Sequence, residues 1–260
     1  MSYQPEPAAA TLHQVRQRRG QVTPLPAAIA PRNEAEGAAV QLAYARRVGA
    51  ASPPGFKIGA TAKRMQEYLG LSGPAAGFMA MGGLHRSGAT VKFGDFVRPG
   101  VECELVVRLG RDLPPGACTP EQAVEAVGGL FAGIEIVENR YGDLLELGVP
   151  MLIADQMFHA AAVLGEPGLE DWHSLDIGTL RGRLIIDGHL RDEGVGADLL
   201  GDPMRCLAWL AASSVAEAFG GLKAGQVVML GSVVPVIWLT GAASVTVDFS
   251  PLPPVQVTFT

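Results

Sequence analysis

Cysteine is scarce in this chain of 260 residues. The three present, Cys103, Cys118 and Cys206, form no C-x-x-C spacing. That argues against a disulfide scaffold or a cysteine zinc site and fits a reducing compartment. No apolar run reaches the ~18–20 residues a membrane helix needs, and the N-terminus lacks the positive-then-apolar order of a secretory signal. Arg16, Arg18 and Arg19 stand among Gln14, Gln17 and Gln21 with few serines, the texture of a surface helix rather than a transit peptide. The expectation is a soluble, cytoplasmic protein with no membrane partner. Excess positive charge is also missing. The net charge is −6 and the sixteen arginines are scattered, so there is no basic face for a nucleic acid. The G-x-x-x-x-G-K-[ST], H-E-x-x-H and G-x-S-x-G patterns are absent. Gly194-Val195-Gly196-Ala197-Asp198 carries only two glycines of a dinucleotide fingerprint and follows a turn. The five histidines, His13, His85, His159, His173 and His189, show no zinc spacing.

What is present is apolar: 48% of the chain, against 18% charged, enough for a substantial core. Met1 to Ala9 reads as a Pro/Ala-rich tail, with a short helix opening at Thr11. Asn33 should cap a helix through Arg47. Gly55-Phe56-Lys57-Ile58-Gly59 reads as a short strand, followed by strands over Val91–Phe96 and Val101–Leu109. Thr119-Pro120-Glu121-Gln122 is a helix start, with the end expected at Gly128-Gly129. A strand over Leu180–Ile186 should turn at Asp187-Gly188. One helix is expected over Pro203–Phe219, then four strands in Gln226–Leu230, Val233–Leu239, Ala243–Phe249 and Pro254–Phe259. This order predicts an α+β fold, with a helical arm over residues 1–54 and one continuous unit over 55–260.

Chemistry concentrates in two strands. In Val101-Glu102-Cys103-Glu104-Leu105, alternation puts Glu102 and Glu104 on one face and Cys103 on the other. A third carboxylate, Glu135, sits in Gly133-Ile134-Glu135-Ile136-Val137. An unpaired carboxylate on an apolar strand is costly. Two readings stand: each glutamate faces water or an arginine, or the three converge on a hard divalent cation. Lys57, one of only four lysines, is either an edge residue reaching for water or a proton-transfer group in a partly desolvated pocket.

In order along the chain, Gly55–Gly59, Glu102-Cys103-Glu104 with Gly110-Arg111-Asp112-Leu113, Glu135-Ile136-Val137 with Arg140, Asp155-Gln156, Leu200-Gly201-Asp202-Pro203 and Leu222-Lys223-Ala224-Gly225 form a pattern. It resembles the 2-keto-4-pentenoate hydratase family, in the hydratase/decarboxylase branch of the fumarylacetoacetate hydrolase superfamily. The resemblance implies a mixed, rolled β-structure with flanking helices, assembled as a homo-oligomer. It implies Mg2+ or Mn2+ held by Glu102, Glu104 and Glu135, with Lys57 as the catalytic group. It places Arg140, Asp155, His159, Gly201 and Pro203 on the substrate side. The implied activity is a lyase of aromatic-compound catabolism, adding water to a 2-hydroxy-dienoate to give a 4-hydroxy-2-oxo acid. Alternatives are a metal-dependent decarboxylase of a 2-oxo-enedioate, an acylpyruvate-type C–C hydrolase and a non-catalytic relative. No Glu-His pair stands beside the lysine motif to serve the hydrolase alternative.

Three departures stand out. Gly100 replaces an arginine expected before the first glutamate. Phe78 to Leu84 lacks an expected aspartate. A bulky residue follows Asp155-Gln156-Met157 where a serine is expected, with His159 available for a polar role. The altered pocket is expected to be apolar at its far end and to take a monocarboxylate, Arg140 being the nearest cation in sequence for a second charge.

Overall fold

The structure, a computed structural model, describes residues 3–142 and 144–260, without the side chain of Leu145. Helix α1 (Glu6–Gln17) begins earlier than expected, with Pro5 before it and Pro7 in its first turn. Proline is tolerated there because the first amides have no helical acceptor, and the alanines that follow are strong helix formers. Helix α2 (Glu34–Arg47) starts at Asn33, whose side chain accepts from the Glu36 N–H at 2.9 Å, with acids in its first turn and arginines in its last. Strand β1 (Gly55–Gly59), helix α3 (Lys63–Leu69), strands β2 (Ala75–Phe78), β3 (Leu84–Arg86) and β4 (Ala89–Val91) follow. The strand expected over 91–96 stops at Val91, because Phe93–Asp95 tightens into a 3-10 turn.

The spine is a long antiparallel pair, β5 (Pro99–Leu109) and β6 (Val127–Glu138). Helix α4 (Pro120–Ala126) joins them, with Thr119 and Gln122 forming a reciprocal capping box. It ends at Ala126 rather than at the glycines, which lie inside β6. A Cβ on Gly128 would meet the Gly110 Cα at 3.0 Å, so glycine here permits close strand approach. Next come α5 (Leu144–Ala154), broken at Gly148, then β7 (His159–Leu164), β8 (Arg181–Ile186) and β9 (His189–Val195), the last two joined at Asp187-Gly188. The expected long helix is two, α6 (Pro203–Ala211) and α7 (Ser214–Ala218). Ser213 ends the first and caps the second, accepting from the Ala216 N–H at 3.1 Å. Strands β10 (Val227–Ser232), β11 (Ile237–Trp238), β12 (Ala243–Asp248) and β13 (Val255–Phe259) complete the chain. Only two residues of the expected Val233–Leu239 strand pair, with β5.

Two sheets result. One has the order β2-β1-β10-β5-β6-β7-β3, with β11 added to β5; the other runs β4-β13-β12-β8-β9. The fold is a mixed, curled sheet flanked by helices, as expected. Phe56, Ile58, Leu105, Ile134, Val228 and Leu230 are completely buried, each contributing on the order of 1.5–3 kcal/mol. Among the described residues no helix is long and apolar enough to cross a membrane. Helix α2 packs close to α5: a Cβ on Gly37 would lie 2.6 Å from the Pro150 carbonyl oxygen. The buried Gln41 then donates to the Ala76 carbonyl at 2.8 Å and the Ile153 carbonyl at 2.5 Å, tying this helical layer to β2.

Candidate active site

The β5–β6 register sets Glu102 directly opposite Glu135, and the strand period puts Glu104 on the same face. Like charges facing each other across a pair of strands destabilise it. Yet one oxygen from each of the three lies within 4.8 Å of the others. Glu104 and Glu135 are fully enclosed and Glu102 is half-buried. Glu104 Oε2 accepts from the Gly231 N–H at 2.7 Å. Glu135 Oε1 lies 3.3 Å from Lys57 Nζ and 2.8 Å from His159 Nδ1. The remaining oxygens, Glu104 Oε1 and Glu135 Oε2, are buried without a partner among the described residues. Orphaned acceptors of this kind are costly. An all-oxygen donor set with two uncommitted buried oxygens fits a hard divalent cation.

The electrostatics agree. Burial, then the Glu135 charge, pushes Glu102 up to about 8. Burial and both neighbouring carboxylates push Glu104 well above the usual range. Burial raises Glu135 too, but Lys57 and His159 outweigh it and hold it below the ordinary value. A cation among them would let all three ionise together. Burial lowers His159, leaving a neutral ring that donates Nδ1–H to Glu135.

Lys57 lies at the centre of β1, only 2% exposed, so it is not an edge residue reaching for water. Its ammonium donates to the Met157 carbonyl at 2.5 Å. That carbonyl is aimed by an unusual stretch of backbone. Gln156, Met157 and Phe158 all take positive φ, 62°, 47° and 66°. Without glycine, each costs ~1–2 kcal/mol. The Gln156 side chain secures the turn by donating to the Phe78 carbonyl at 2.7 Å. Sequence reasoning missed this turn, since nothing in Asp155-Gln156-Met157-Phe158 marks a left-handed run.

Lys57 and Glu102 open on a cavity of about 320 Å³. Its walls are mostly apolar: Met65, Tyr68 and Leu69 of α3, Leu144, Met157, Phe158, Val236 and Trp238, with Arg98 and Asn139 as further polar groups. Arg98 and Asn139 were not foreseen; Arg98 precedes β5 on the alternation that carries Glu102.

The other expected site residues do not line this cavity. Asp155 lies behind it in a closed network. It accepts from Arg16 Nε at 2.9 Å, from Arg140 at 2.8 Å and from the Tyr141 hydroxyl at 2.8 Å. Burial raises its pKa, but Arg140 and Arg16 outweigh that and hold it below the ordinary carboxylate value. Arg140 is 1% exposed and also bridges Glu138 at 2.5 Å. His159 faces Glu135, forming across two strands a Glu–His pair that lies out of sight in the sequence. Gly201 lines a different cavity with Trp172, Ile177 and Met204. Pro203 occupies the first turn of α6, behind the Asp202 cap.

Comparison with known proteins gives the same lineage. Residues 60–258 match the family described as fumarylacetoacetate (FAA) hydrolase C-terminal. The chain is 30% identical over 242 residues to a 2-keto-4-pentenoate hydratase of Burkholderia vietnamiensis, covering 89% of this chain and 91% of that protein. It is 30% identical over 186 residues to a 2-hydroxyhexa-2,4-dienoate hydratase of Comamonas testosteroni, covering 70% and 69%. Its fold is similar to that of 4-oxalocrotonate decarboxylase from Pseudomonas putida G7 complexed with magnesium and adipate, with TM-score 0.90 and 21% identity over 98% of this chain and 97% of that one. With the carboxylate triad on β5 and β6 and the lysine on β1 in the order its sequence announces, the chain belongs to the fumarylacetoacetate hydrolase family, in its 2-keto-4-pentenoate hydratase branch.

Proposed function

We propose that this chain is a divalent-metal-dependent hydro-lyase that adds water to a 2-hydroxy-dienoate to give a 4-hydroxy-2-oxo acid. One observation carries the reading: three carboxylates converge beside Lys57, Glu102 and Lys57 open on an apolar cavity, and Glu104 and Glu135 each keep a buried oxygen without a partner among the described residues. The hydratase relatives support the reaction type.

Glu102, Glu104 and Glu135 would hold Mg2+ or Mn2+. When bound, such an ion would supply Lewis-acid stabilisation of the negative charge that develops on the 2-oxygen of a 2-oxo acid. Lys57 Nζ, fixed between Glu135 and the Met157 carbonyl, moves a proton during dienol-to-ketone conversion. The conjugated ketone so formed is electrophilic at its distal alkene carbon, where water adds. His159 orients Glu135 through Nδ1. The apolar walls limit bulk water around the reacting chain. Arg140 and Asp155 shape the floor from behind rather than touching substrate.

We take residues 1–54 as an arm that completes the frame of the unit over 55–260. The reach of Arg16 on α1 to Asp155 and to the His159 carbonyl supports this. A cytoplasmic homo-oligomer is the accompanying proposal, tested by fractionation and light scattering.

Decarboxylation of a 2-oxo-enedioate is the second reading, supported by 29% identity over 193 residues to a 4-oxalocrotonate decarboxylase of Pseudomonas sp; the same charge stabilisation would receive the electron pair released with carbon dioxide. Assays of 2-hydroxypenta-2,4-dienoate and 2-oxohex-3-enedioate with magnesium, following absorbance and carbon dioxide, separate the two. Loss of diene absorbance without carbon dioxide supports hydration; carbon dioxide release replaces it with decarboxylation.

A further inference from the structure

The wall of the Lys57 cavity carries a cation that pairs with no carboxylate among the described residues. Arg98 lines it, exposed at its mouth. Among the described residues its guanidinium has one contact, the face of the Trp238 ring at 5.3 Å, a cation–π arrangement that holds the group without using its N–H donors. Its backbone is pinned as well, the Arg98 carbonyl accepting from the Asn139 N–H at 2.9 Å. Asn139 also lines the cavity. Its Oδ1 accepts from the Tyr141 N–H at 3.0 Å, which leaves the amide nitrogen as its uncommitted end.

The glycine at position 100 belongs to this arrangement. Trp238 is its register partner on β11. A Cβ on Gly100 would lie 2.8 Å from Trp238 Cε3 and 2.7 Å from Val236 Cγ2. The tryptophan occupies the space a side chain at position 100 would need, and Arg98 stacks on its ring.

Distance and charge then fix what Arg98 can meet. Four residues separate it from Glu102, a backbone span of at most ~14 Å. An arginine side chain and a short diacid chain together are long enough to cover a span of that size. At the other end, three carboxylates balance one divalent cation and Lys57. Arg140, the cation nearest in sequence, is enclosed and committed to Asp155 and Glu138. We propose that Arg98, shelved on Trp238 and flanked by Asn139, binds a second substrate carboxylate at the end remote from Glu102, so that the preferred substrate is a 2-oxo dicarboxylate. This reverses the monocarboxylate expectation, whose premise was an apolar far end. Arg–carboxylate pairing is planar and two-pronged, so it selects a carboxylate over a neutral end group of similar size.

The assignment rests on reading this cavity as the substrate site. The test therefore uses binding of unreactive analogues rather than turnover. The full chain, saturated with magnesium, is titrated calorimetrically with 2-oxopentanoate and with 2-oxohexanedioate. The wild type should bind the diacid at least tenfold more tightly. Arg98→Gln should weaken the diacid tenfold or more and leave the monoacid within twofold, with Arg98→Lys between them. An unchanged thermal melt confirms that the exposed substitution leaves the fold intact. Equal weakening of both ligands would place Arg98 at the shared 2-oxo-acid end and overturn the proposal. A wild type without preference, or a Gln variant that keeps it, overturns it equally. If neither analogue binds with magnesium or manganese present, the cavity reading and the Arg98 assignment fall together. If binding behaves as expected but no corresponding enoate is hydrated, the hydratase reading falls and Arg98 stands.

Discussion

Two clusters of buried charge lie back to back in this protein, and they are built to opposite rules. Around Asp155, both carboxylate oxygens are taken, by Arg16, Arg140 and Tyr141. Around Glu104 and Glu135, two carboxylate oxygens are buried with nothing to accept from among the described residues. In the first cluster the carboxylate is closed, although Arg140 Nε stays without an acceptor among the described residues, and its interactions are realised when the chain folds. The second is open, and its cost is carried by the folded protein until a cation arrives. Burial alone therefore does not distinguish a structural acid from a functional one; the unfilled lone pairs do.

The comparison is sharpest under substitution. Glu135→Gln should lower turnover by ~10³-fold, since it removes charge from the position where the transition state is stabilised. Its magnesium affinity should fall as well, measured by calorimetry. Metal-free thermal stability of Glu104→Gln should be unchanged or higher, because the substitution removes a desolvated acid with an orphaned oxygen. A large loss of stability in metal-free Glu104→Gln would break the contrast. Lys57→Ala should cost ~10²–10⁴-fold in kcat while leaving magnesium affinity within a few-fold, and near-wild-type turnover would remove Lys57 from the chemistry.

In the closed cluster the effect moves from activity to folding. Asp155→Asn should destabilise by ~3–5 kcal/mol, because it removes the charge that Arg16 and the buried Arg140 share and leaves Arg140 with Glu138 alone. Denaturant melts should show that loss with or without magnesium; a loss appearing only with magnesium would make Asp155 part of the open cluster. The acid limb gives the smaller companion effect. Asp155 is depressed in the fold, so its contribution is complete above its unfolded pKa, ~3.9, and fades as pH falls through the lower folded value. The wild type should lose stability over that window, and Asp155→Asn should flatten the slope there. His159→Gln gives the smallest change, ~10-fold in metal affinity with the fold intact, as for other residues that orient a ligand.

Legibility in the sequence followed the same divide. Strand alternation exposed the shared face of Glu102 and Glu104, because a period of two is written locally. That Glu135 stands opposite Glu102 depends on register between strands separated by α4, which no local pattern specifies. Asn33 and Thr119 announced their helices because a cap is a local bond. Gly128-Gly129 misled as a helix end, since close strand approach and helix termination use the same residue. Arg140 looked like a substrate cation until its partners were seen, and Arg98 stayed hidden because its shelf, Trp238, comes from the far end of the chain.

The turn through Gln156, Met157 and Phe158 has a consequence for evolvability. Holding non-glycine residues left-handed spends folding stability, and what returns is an ammonium whose rotamers are already restricted before substrate arrives. Met157→Gly would relieve part of the strain and make the chain easier to fold, yet loosen the carbonyl that aims Lys57. Stability and turnover thus draw on the same three residues, and selection for one here is selection against the other.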